Sequence, residues 1–366
     1  MKVLFLATHL STGGMPQFLL KRIEALKKYT DTEIFVYEWQ ELSKDFIIQR
    51  DKIIELVGDN FFSCGYRYAW TKENDDNRNN LVQYCKDKKI DIIHIEDVVE
   101  DIKNFKSCKV PRELYNKEHK WKIVETPHSM NYNPNNKIFE PDGYCFTINY
   151  HSDNTNKNII KDVISYPLDK LIVCSKSKND IKDKMGFRKN GEYHIINVGL
   201  WTPGKNQGYA IELAKKLWNK YGETYIFHFI GNQAGNFQNY WGPLMKDLPP
   251  NIKIHGEKNL DDVSEFYKMA DLMLFTSTWE SWGIVIEEAI ANNIKIMAYN
   301  LKHYGNERIP FIEPLSGDIE NDYELLINTI HSPIKYSIND INTKLDMKSF
   351  ADKHINLYTN LLNNNE

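Results

Sequence analysis

The chain alternates short apolar runs with longer stretches in which apolar residues recur at helical spacing. The apolar runs predict buried strands at residues 2–8, 33–37, 90–95, 121–126, 144–147, 171–177, 194–199, 225–230, 252–256, 272–275 and 294–299. Between these runs, stretches such as 18–26, 209–218 and 262–271 have the apolar period of amphipathic helices. Strands that alternate with helices predict an α/β protein built on parallel sheets.

Length and a change in composition predict two domains. The chain has 366 residues, which is more than one domain usually holds. A charged, glycine-containing stretch at 183–192 separates two series of strands and helices, and we interpret it as the linker. We therefore expect domains at 1–188 and 189–345, followed by a terminal helix between Phe350 and Leu362.

Composition narrows the class of protein. The net charge of −4 gives no electrostatic reason to expect a nucleic-acid partner. The five cysteines form no Cys-x-x-Cys pair, and an odd number argues against a disulfide framework, so we expect a reducing, cytoplasmic compartment. The apolar run at 3–7 is too short for the core of a signal peptide, and no apolar run reaches the length of a membrane span.

The most informative stretch is 272–291, which predicts a strand, a tight turn and a helix. Gly283 lies in the turn, where the backbone must pass close to another group or take positive φ, and the amides of 282–284 would be unpaired donors at the helix start. Such a start suits an anion such as a diphosphate. Glu280 and Glu288 flank this point with seven residues between them. We interpret both as acceptors of hydrogen bonds from sugar hydroxyls, and two surface glutamates on an ordinary turn are the alternative.

Two further loops have the composition of phosphate-binding turns. The loop at 11–16 joins a strand to a helix and contains Gly13 and Gly14, a geometry that faces phosphates, although any tight turn can use such a pair. The loop at 199–207 contains Lys205, whose ammonium would supply a point charge for a diphosphate. A solvated loop lysine is the alternative for Lys205.

Two histidines accompany predicted strands in the first half of the chain. His128 opens the loop after the strand at 121–126. The carboxyl ends of parallel strands point into the ligand crevice, so we expect His128 to line the site, with a structural role in the loop as the alternative. We expect His94, which lies within a strand, to be structural.

The polar stretch at 131–158 predicts a long loop region with one short strand, facing ligands.

The stretch around Gly283 resembles the signature of the retaining GT-B glycosyltransferases of family GT4, also known as glycosyltransferase group 1. The shared pattern is Glu280-x7-Glu288 with an aromatic residue and Gly283 inside it, and Glu288 opens the run Glu-Ala-Ile-Ala. The loop after residue 198 is similar to the phosphate loop of the same family. It contains Gly199 and then Pro-x-Lys-Asn, which ends at Asn206.

One expected cation is absent from this phosphate loop. The family usually has Arg directly after the Val-Gly pair, whereas this chain has Leu200. Lys205 would then carry more of the phosphate charge, or another cation such as Lys176 would compensate.

The resemblance implies a fold and a reaction. The fold is GT-B, in which two Rossmann-like domains with parallel sheets face each other across a cleft. Residues 1–188 would form the acceptor side, 189–345 the donor side, and 346–366 a helix that crosses back to the first domain. The reaction is retaining transfer of a hexose from a nucleotide-diphosphate sugar to a glycan, a lipid-linked acceptor or a small molecule. Peripheral contact with a membrane and the oligomeric state stay open.

The resemblance also implies roles for individual residues. Lys205, Glu280 and His128 are the expected catalytic residues. Glu280 would accept hydroxyls of the donor sugar, and His128 would line the transfer site, although Ser129 replaces the Asp that the family usually has there. Glu288 would accept ribose hydroxyls. The full set of expected donor-binding residues is Gly13, Gly14, Gly199, Asn206, Gly256, Ser281, Trp282, Gly283, Ile284 and Glu288.

The chain contains no Asp-x-Asp pair, so we expect neither a metal ion nor another cofactor in the reaction. A UDP-sugar is the expected donor, and a GDP-sugar is the alternative.

Two other functions stay open. One is a nucleotide-sugar-binding subunit without activity. The other is an epimerase or phosphorylase with the same fold, although no motif indicates the pyridoxal-binding lysine that a phosphorylase needs.

Overall fold

The chain forms two compact units. The computed structural model describes residues 1–11, 13–39, 41, 47–65, 80–96, 112–129, 132–137, 139–155, 158–167, 174–280, 282–301, 309–334 and 346–364. The first unit comprises Met1–Pro167 and Leu345–Glu366, and the second comprises Leu168–Lys344. Each unit is an α/β structure built on a parallel sheet, as the sequence predicts.

Strands and helices alternate along the described residues. The strands are β1 (Lys2–Ala7), β2 (Glu33–Glu38), β3 (Phe61–Ser63), β4 (Ile92–Glu96), β5 (Lys122–Thr126), β6 (Gly143–Phe146), β7 (Ile160–Val163), β8 (Tyr193–Val198), β9 (Tyr225–Ile230), β10 (Ile252–Gly256), β11 (Leu272–Phe275), β12 (Lys295–Ala298) and β13 (Ile312–Pro314). The α-helices are α1 (Gly14–Tyr29), α2 (Ile48–Val57), α3 (Leu81–Lys88), α4 (Asn149–Asp153), α5 (Lys178–Met185), α6 (Gln207–Tyr221), α7 (Gln238–Leu244), α8 (Leu260–Met269), α9 (Ile284–Ala291), α10 (Ile319–His331) and α11 (Met347–Asn363).

The sheet of the first unit has the strand order β3-β2-β1-β4-β5-β6-β7, with parallel neighbours throughout. The interior strand β1 is buried from Val3 to Ala7, which explains why its sequence is a continuous apolar run instead of an alternating one. Helices α1 and α11 pack against each other, and the rings of Phe18 and Phe350 lie 5.6 Å apart. The terminal helix α11 therefore belongs to the first unit.

A buried polar cluster ties α11 to this sheet. The His94 side chain on β4 is fully buried, with its Nδ1 2.6 Å from the Tyr358 hydroxyl and its Nε2 2.6 Å from Oγ1 of Thr126. Burial, together with the nearby Arg22 guanidinium, keeps the pKa of His94 well below its usual value, so the ring is neutral. The structural role expected for His94 is confirmed.

The sheet of the second unit has the order β10-β9-β8-β11-β12-β13, again with parallel neighbours. Helix α6 covers this sheet and buries Ala210, Leu213, Ala214 and Leu217. These positions follow the helical spacing that the sequence predicts for one apolar face. The helix ends at Gly222, whose φ of 56° terminates the regular backbone.

The units divide earlier in the chain than the expected limits of 1–188 and 189–345. Helix α5 lies in the second unit and occupies the first part of the predicted linker at 183–192. The Ser177 hydroxyl caps its start, and Gly186, with a φ of 77°, ends it. Ile181 is buried in the same hydrophobic cluster as residues of β11 and α8, so burial assigns this helix to the second unit.

Two predicted features fall partly outside the described residues. Residues 171–173 of the strand predicted at 171–177 are outside them, and 174–177 precede α5 without forming a strand. The stretch at 131–158 was predicted as a loop region with one strand at 144–147. In its described part it contains that strand as β6 and also the short helix α4.

We expect Tyr358→Phe to lower the free energy of unfolding of the first unit by about 1–3 kcal/mol, because Nδ1 of the buried His94 loses its partner. Scanning calorimetry would measure the effect. Tyr29→Phe on α1 is the control, because Tyr29 is 37% exposed and its change should stay within about 0.5 kcal/mol. Equal effects of the two substitutions would contradict the anchoring role of Tyr358.

Candidate functional site

Strand order determines where a ligand can bind in the second unit. The chain builds one half of the sheet outward from β8 to β10 and the other half from β11 to β13, so the order reverses between β8 and β11. In open parallel sheets, ligands bind outside the carboxyl ends of the strands at such a reversal. The loops that follow β8 and β11 contain Lys205 and Glu280, and the candidate site of this unit lies there.

Backbone hydrogen bonds hold the loop after β8 in place. The Gly199 amide donates to the Ile230 carbonyl at 2.9 Å, and the Trp201 amide donates to the Asn232 carbonyl at 2.9 Å. The Trp201 side chain is only 1% exposed and packs in the hydrophobic core of the unit. These contacts fix the path of the backbone at the start of the loop, before Lys205.

A short 3-10 turn, Pro203–Lys205, ends this loop. The Thr202 side chain caps the turn by accepting a hydrogen bond from the Lys205 amide at 3.3 Å, and Asn206 leaves it with a φ of 51°. The Thr276 hydroxyl, from the loop after β11, donates to the Lys205 carbonyl at 2.9 Å. These contacts join the two loops and fix the backbone position of the lysine.

The side chains of Lys205 and Glu280 form an ion pair between the two loops. The ammonium also lies 5.5 Å from the centroid of the Phe275 ring. The Lys205 side chain is 27% exposed and the Glu280 side chain 9% exposed, so the pair is near the surface but largely covered. The structure thus brings together two residues that the sequence predicts to share a site and that lie 75 positions apart in the chain.

The start of helix α9 is adjacent in the chain to this pair. Gly283 has a φ of 65°, which confirms the predicted positive φ, and Ile284 is the first helical residue. The N-cap residue Gly283 has no side chain with which to cap this start, and Glu287 is the acidic residue of its first turn. Trp282 precedes Gly283 in the described chain, whereas Ser281 lies outside the described residues. The helix begins at Ile284, directly after the predicted turn.

Glu288 lies on α9 and is 8% exposed. The hydroxyl of Tyr267, from α8, donates a hydrogen bond to Oε2 of Glu288 at 2.6 Å. Tyr267 is itself 1% exposed, so its ring cannot move away without disturbing the core. The carboxylate is therefore held in one orientation, and Tyr267 is a positioning group that sequence reasoning missed.

Gly231 is a second residue that sequence reasoning missed. It follows β9, has a φ of 153°, and a Cβ atom at this position would overlap the carbonyl oxygen of Gly199. Its amide donates to the Gly256 carbonyl at 2.8 Å, and Gly256, at the end of β10, has a φ of 67°. Three neighbouring strands thus end in glycines that pack backbone against backbone. A glycine directly after a strand was the available signal for Gly231.

The first unit also reverses its strand order, between β1 and β4. The loop after β1 contains Gly13, with a φ of 139°, and α1 begins at Gly14 without an acidic residue in its first turn. Thr12 between them and β1 lies outside the described residues. Both predicted glycines therefore stand at the start of a helix next to the reversal.

His128 lies beyond the end of β5 in the first unit. Its Nε2 is 2.9 Å from Oε2 of Glu96, the last residue of β4. Its ring forms a T-shaped contact with the Phe18 ring, with the two centroids 5.6 Å apart. Burial, with a contribution from the Arg22 guanidinium, lowers the pKa of His128 to about 3. The imidazole is therefore neutral at neutral pH.

Glu96 and Arg22 form an ion pair in which both side chains are fully buried. Sequence reasoning missed this pair. An acidic residue at the end of an otherwise apolar strand was the signal for Glu96, but nothing in the local sequence of α1 singles out Arg22.

Part of the chain matches a known family. Residues 178–309 match the family model for glycosyl transferases group 1. This segment contains Lys205, Glu280 and Glu288 and most of the second unit. No curated protein sequence matches the chain significantly.

Solved structures similar to the chain cover nearly all of it. A glycosyltransferase from Rickettsia africae has a TM-score of 0.71 and 16% identity, with 99% of this chain and 99% of that chain covered. HepE from Anabaena, in complex with UDP and glucose, has a TM-score of 0.71 and 14% identity, covering 98% of this chain and 99% of that chain. Sucrose-phosphate synthase from Thermosynechococcus elongatus has a TM-score of 0.73 and 13% identity, covering 99% of each chain.

These similarities confirm the expected GT-B fold class, with two parallel-sheet α/β units. The family match, taken with this fold, supports a glycosyltransferase. Within the described residues, no helix is long and apolar enough to cross a bilayer. The same residues contain no group of three or more histidine, cysteine or acidic side chains arranged to hold a metal ion.

We expect Gly231→Ala to destabilise the second unit by at least about 2 kcal/mol, because the new Cβ overlaps Gly199 and the backbone favours glycine. Thermal unfolding would measure the loss. Gly235→Ala is the matched control, since a Cβ there meets nothing within 4 Å, and we expect a change within about 0.5 kcal/mol. If Gly231→Ala melts like the control, the backbone packing at the strand ends is looser than described.

Proposed function

We propose that this chain is a retaining glycosyltransferase that moves a hexose from a nucleotide-diphosphate sugar to a glycan, lipid-linked or small-molecule acceptor, without a metal ion. The observation that carries the proposal is the ion pair of Lys205 and Glu280 at the strand reversal of the second unit, next in sequence to the start of α9 at Gly283. This arrangement lies within the segment that matches the glycosyltransferase family. A UDP-sugar is the proposed donor, with a GDP-sugar as the alternative, and UDP in the similar HepE structure supports this choice.

The diphosphate would be stabilised by one mobile cation and one fixed dipole. Lys205 supplies a full charge on a flexible stem, and the first amides of α9 supply oriented donors. Negative charge collects on the diphosphate as the bond to the sugar breaks, so both interactions strengthen in the transition state. Catalysis of this kind consists of positioning and charge stabilisation, which a metal-free site can supply.

The ion pair gives Glu280 and Lys205 linked roles. In the structure each neutralises the other, which keeps both charged groups stable in a largely covered position. A bound diphosphate would share the Lys205 ammonium, and Glu280 would then accept hydrogen bonds from hydroxyls of the donor sugar. Glu288, oriented by Tyr267, would accept ribose hydroxyls, since a carboxylate has about four acceptor positions.

Lys205 is a better candidate than Lys176 for the cation that compensates for Leu200, because Lys205 lies in the phosphate loop itself. Lys176 pairs with Glu265 on α8, and Lys184 pairs with the second oxygen of the same carboxylate. Lys205 is therefore the proposed phosphate cation of the loop.

Leu200 also favours one alternative, a nucleotide-sugar-binding subunit without activity. Hydrolysis of the donor in the absence of acceptor would distinguish the two, because an inactive subunit binds without turnover.

Lys205→Ala should lower kcat by about 10²–10³-fold, because the charge that stabilises the departing diphosphate is lost. Steady-state assays beside a melting curve would measure this. Lys205→Arg should restore part of the activity, since it keeps the charge in a different geometry. Lys246→Ala, a change on the surface of the same unit, is the control and should keep full activity. Near-normal kcat in Lys205→Ala would remove the lysine from the proposed mechanism.

Glu288→Ala should weaken nucleotide binding about tenfold or more, because hydrogen bonds to a charged acceptor are worth about 1.5–3 kcal/mol each. Isothermal calorimetry with UDP and with GDP would measure the affinity and identify the base. Glu212→Ala removes an exposed carboxylate from α6 in the same unit and should leave the affinity unchanged. The ribose assignment fails if Glu288→Ala binds the preferred nucleotide as tightly as the unmodified chain.

Chelation should leave the transfer reaction intact. The chain contains no Asp-x-Asp pair to hold a metal-bound diphosphate, and Lys205 with the start of α9 can take the place of a cation. Initial rates of transfer before and after dialysis against EDTA would test this. A loss of activity that Mg²⁺ or Mn²⁺ restores would show that the diphosphate chemistry is different.

A further inference from the structure

The first unit contains a charged pair that the proposed reaction does not use. Arg22 on α1 and Glu96 at the end of β4 are fully buried and pair with each other. The guanidinium also lies over the Phe18 ring at 4.8 Å and has its Nη1 3.3 Å from Nε2 of His94. Burying two charges costs desolvation free energy that their mutual attraction can fail to offset. The pair therefore suggests a role other than stability.

The second oxygen of this carboxylate reaches the site histidine. Oε1 of Glu96 faces Arg22, and Oε2 lies 2.9 Å from Nε2 of His128. Arg22 is a donor only, and a carboxylate paired with it is an acceptor only, so the hydrogen of the short contact belongs to His128. His128 is thereby required to carry its proton on Nε2.

The other ring nitrogen is then an acceptor. The His128 ring is neutral, because burial and Arg22 lower its pKa to about 3, and a neutral imidazole with its proton on Nε2 has a lone pair on Nδ1. Nδ1 has no hydrogen-bond partner among the described residues, and the side chain is 12% exposed. The other titratable groups that act on this ring are His9 and His151.

We propose that Glu96, fixed by Arg22, is a positioning residue that holds His128 in the Nε2–H tautomer, so that Nδ1 accepts a hydrogen bond from a substrate hydroxyl. The inference rests on the proposed glycosyltransferase function and adds to it the residues that set the hydrogen-bonding direction of His128. Phe18 packs against both His128 and Arg22, and so limits rotation of the imidazole away from this carboxylate.

Glu96→Gln reverses the arrangement with almost no change of shape. Arg22 will take the amide oxygen, because a guanidinium cannot accept a hydrogen bond. The amide nitrogen then faces Nε2 of His128 as a donor, and the His128 proton must move to Nδ1. The histidine would present a donor where the unmodified chain presents an acceptor.

The test is nitrogen NMR of chain labelled with ¹⁵N-histidine, with the His128 signals assigned from His128→Gln. The unmodified chain should show a protonated Nε2 and an unprotonated Nδ1, and Glu96→Gln should show the opposite. In transfer assays Glu96→Gln should lower kcat by about 10- to 100-fold and leave the affinity for UDP unchanged. Glu96→Asp, which keeps the acceptor and the charge, should keep the tautomer and recover part of kcat.

Glu125→Gln is the matched control. Glu125 is fully buried on β5 and pairs with Lys137, whose Nζ lies 2.8 Å away, so this variant also replaces a buried carboxylate beside a cation. It should share the loss of thermal stability but keep the tautomer and kcat. This comparison separates an effect on His128 from general destabilisation of the first unit.

Three results would overturn the inference. One is a proton on Nδ1 in the unmodified chain, which decides the matter even if Glu96→Gln does not fold. The second is a reversed tautomer in Glu96→Gln with normal kcat. The third is an equal loss of kcat in Glu125→Gln. Failure of the unmodified chain to bind any nucleotide or nucleotide-sugar would instead reject the proposed function, and the NMR result would still report on Glu96.

Discussion

A reversal of strand order in each parallel sheet is the constraint on which the candidate site depends. Parallel strands place all their carboxyl ends on one edge, and the connections that follow the two strands at a reversal lead to opposite faces of the sheet, which leaves a crevice at that edge where a ligand can bind. In the second unit the reversal lies between β8 and β11, and the two loops supply Lys205 and Glu280. In the first unit it lies between β1 and β4, where Gly13 and Glu96 stand. The strand order thus determines which loops can supply the residues of a ligand site.

The backbone in the second unit is packed so closely at this edge that its loops have little freedom. Gly231 lies so close to the Gly199 carbonyl that no side chain would fit between them, and Trp201, two residues after Gly199, is buried in the core. Thr276 then fastens the carbonyl of Lys205 to the loop after β11. A charged group whose backbone is fixed in advance loses less freedom when it binds its ligand, which is the condition for strong electrostatic stabilisation.

The sequence predicted the features that depend on short stretches of chain. Apolar runs predict the strands because a parallel sheet buries both faces, and Gly283 could be assigned a positive φ because a strand and a helix flank it closely. Lys205 and Glu280 were each recognised from a local motif. Their direct contact was not predicted, because it depends on which two loops the reversal of strand order places side by side.

The features that were missed all depend on packing between distant segments. Tyr267 reaches Glu288 from a neighbouring helix, and Arg22 reaches Glu96 from α1 to the end of β4. In a helical sequence a buried arginine has the same appearance as a solvated one, since the period of the apolar face tolerates one long polar side chain at its border. The expected domain limit differed for a similar reason. Helix α5 has a charged composition like that of a linker, and only the burial of Ile181 assigns it to the second unit.

The two ion pairs near the predicted site residues differ in burial, and burial determines what each can do. Arg22 and Glu96 are both fully buried, so separating them would leave an uncompensated charge in the interior, at a cost of about 3–5 kcal/mol. Such a pair stays fixed and can orient a neighbour such as His128. Lys205 is 27% exposed on its side chain, so water can compensate its charge while it exchanges Glu280 for another anion. The buried pair is therefore suited to hold a geometry, and the partly exposed pair is suited to take part in binding and release of a charged substrate.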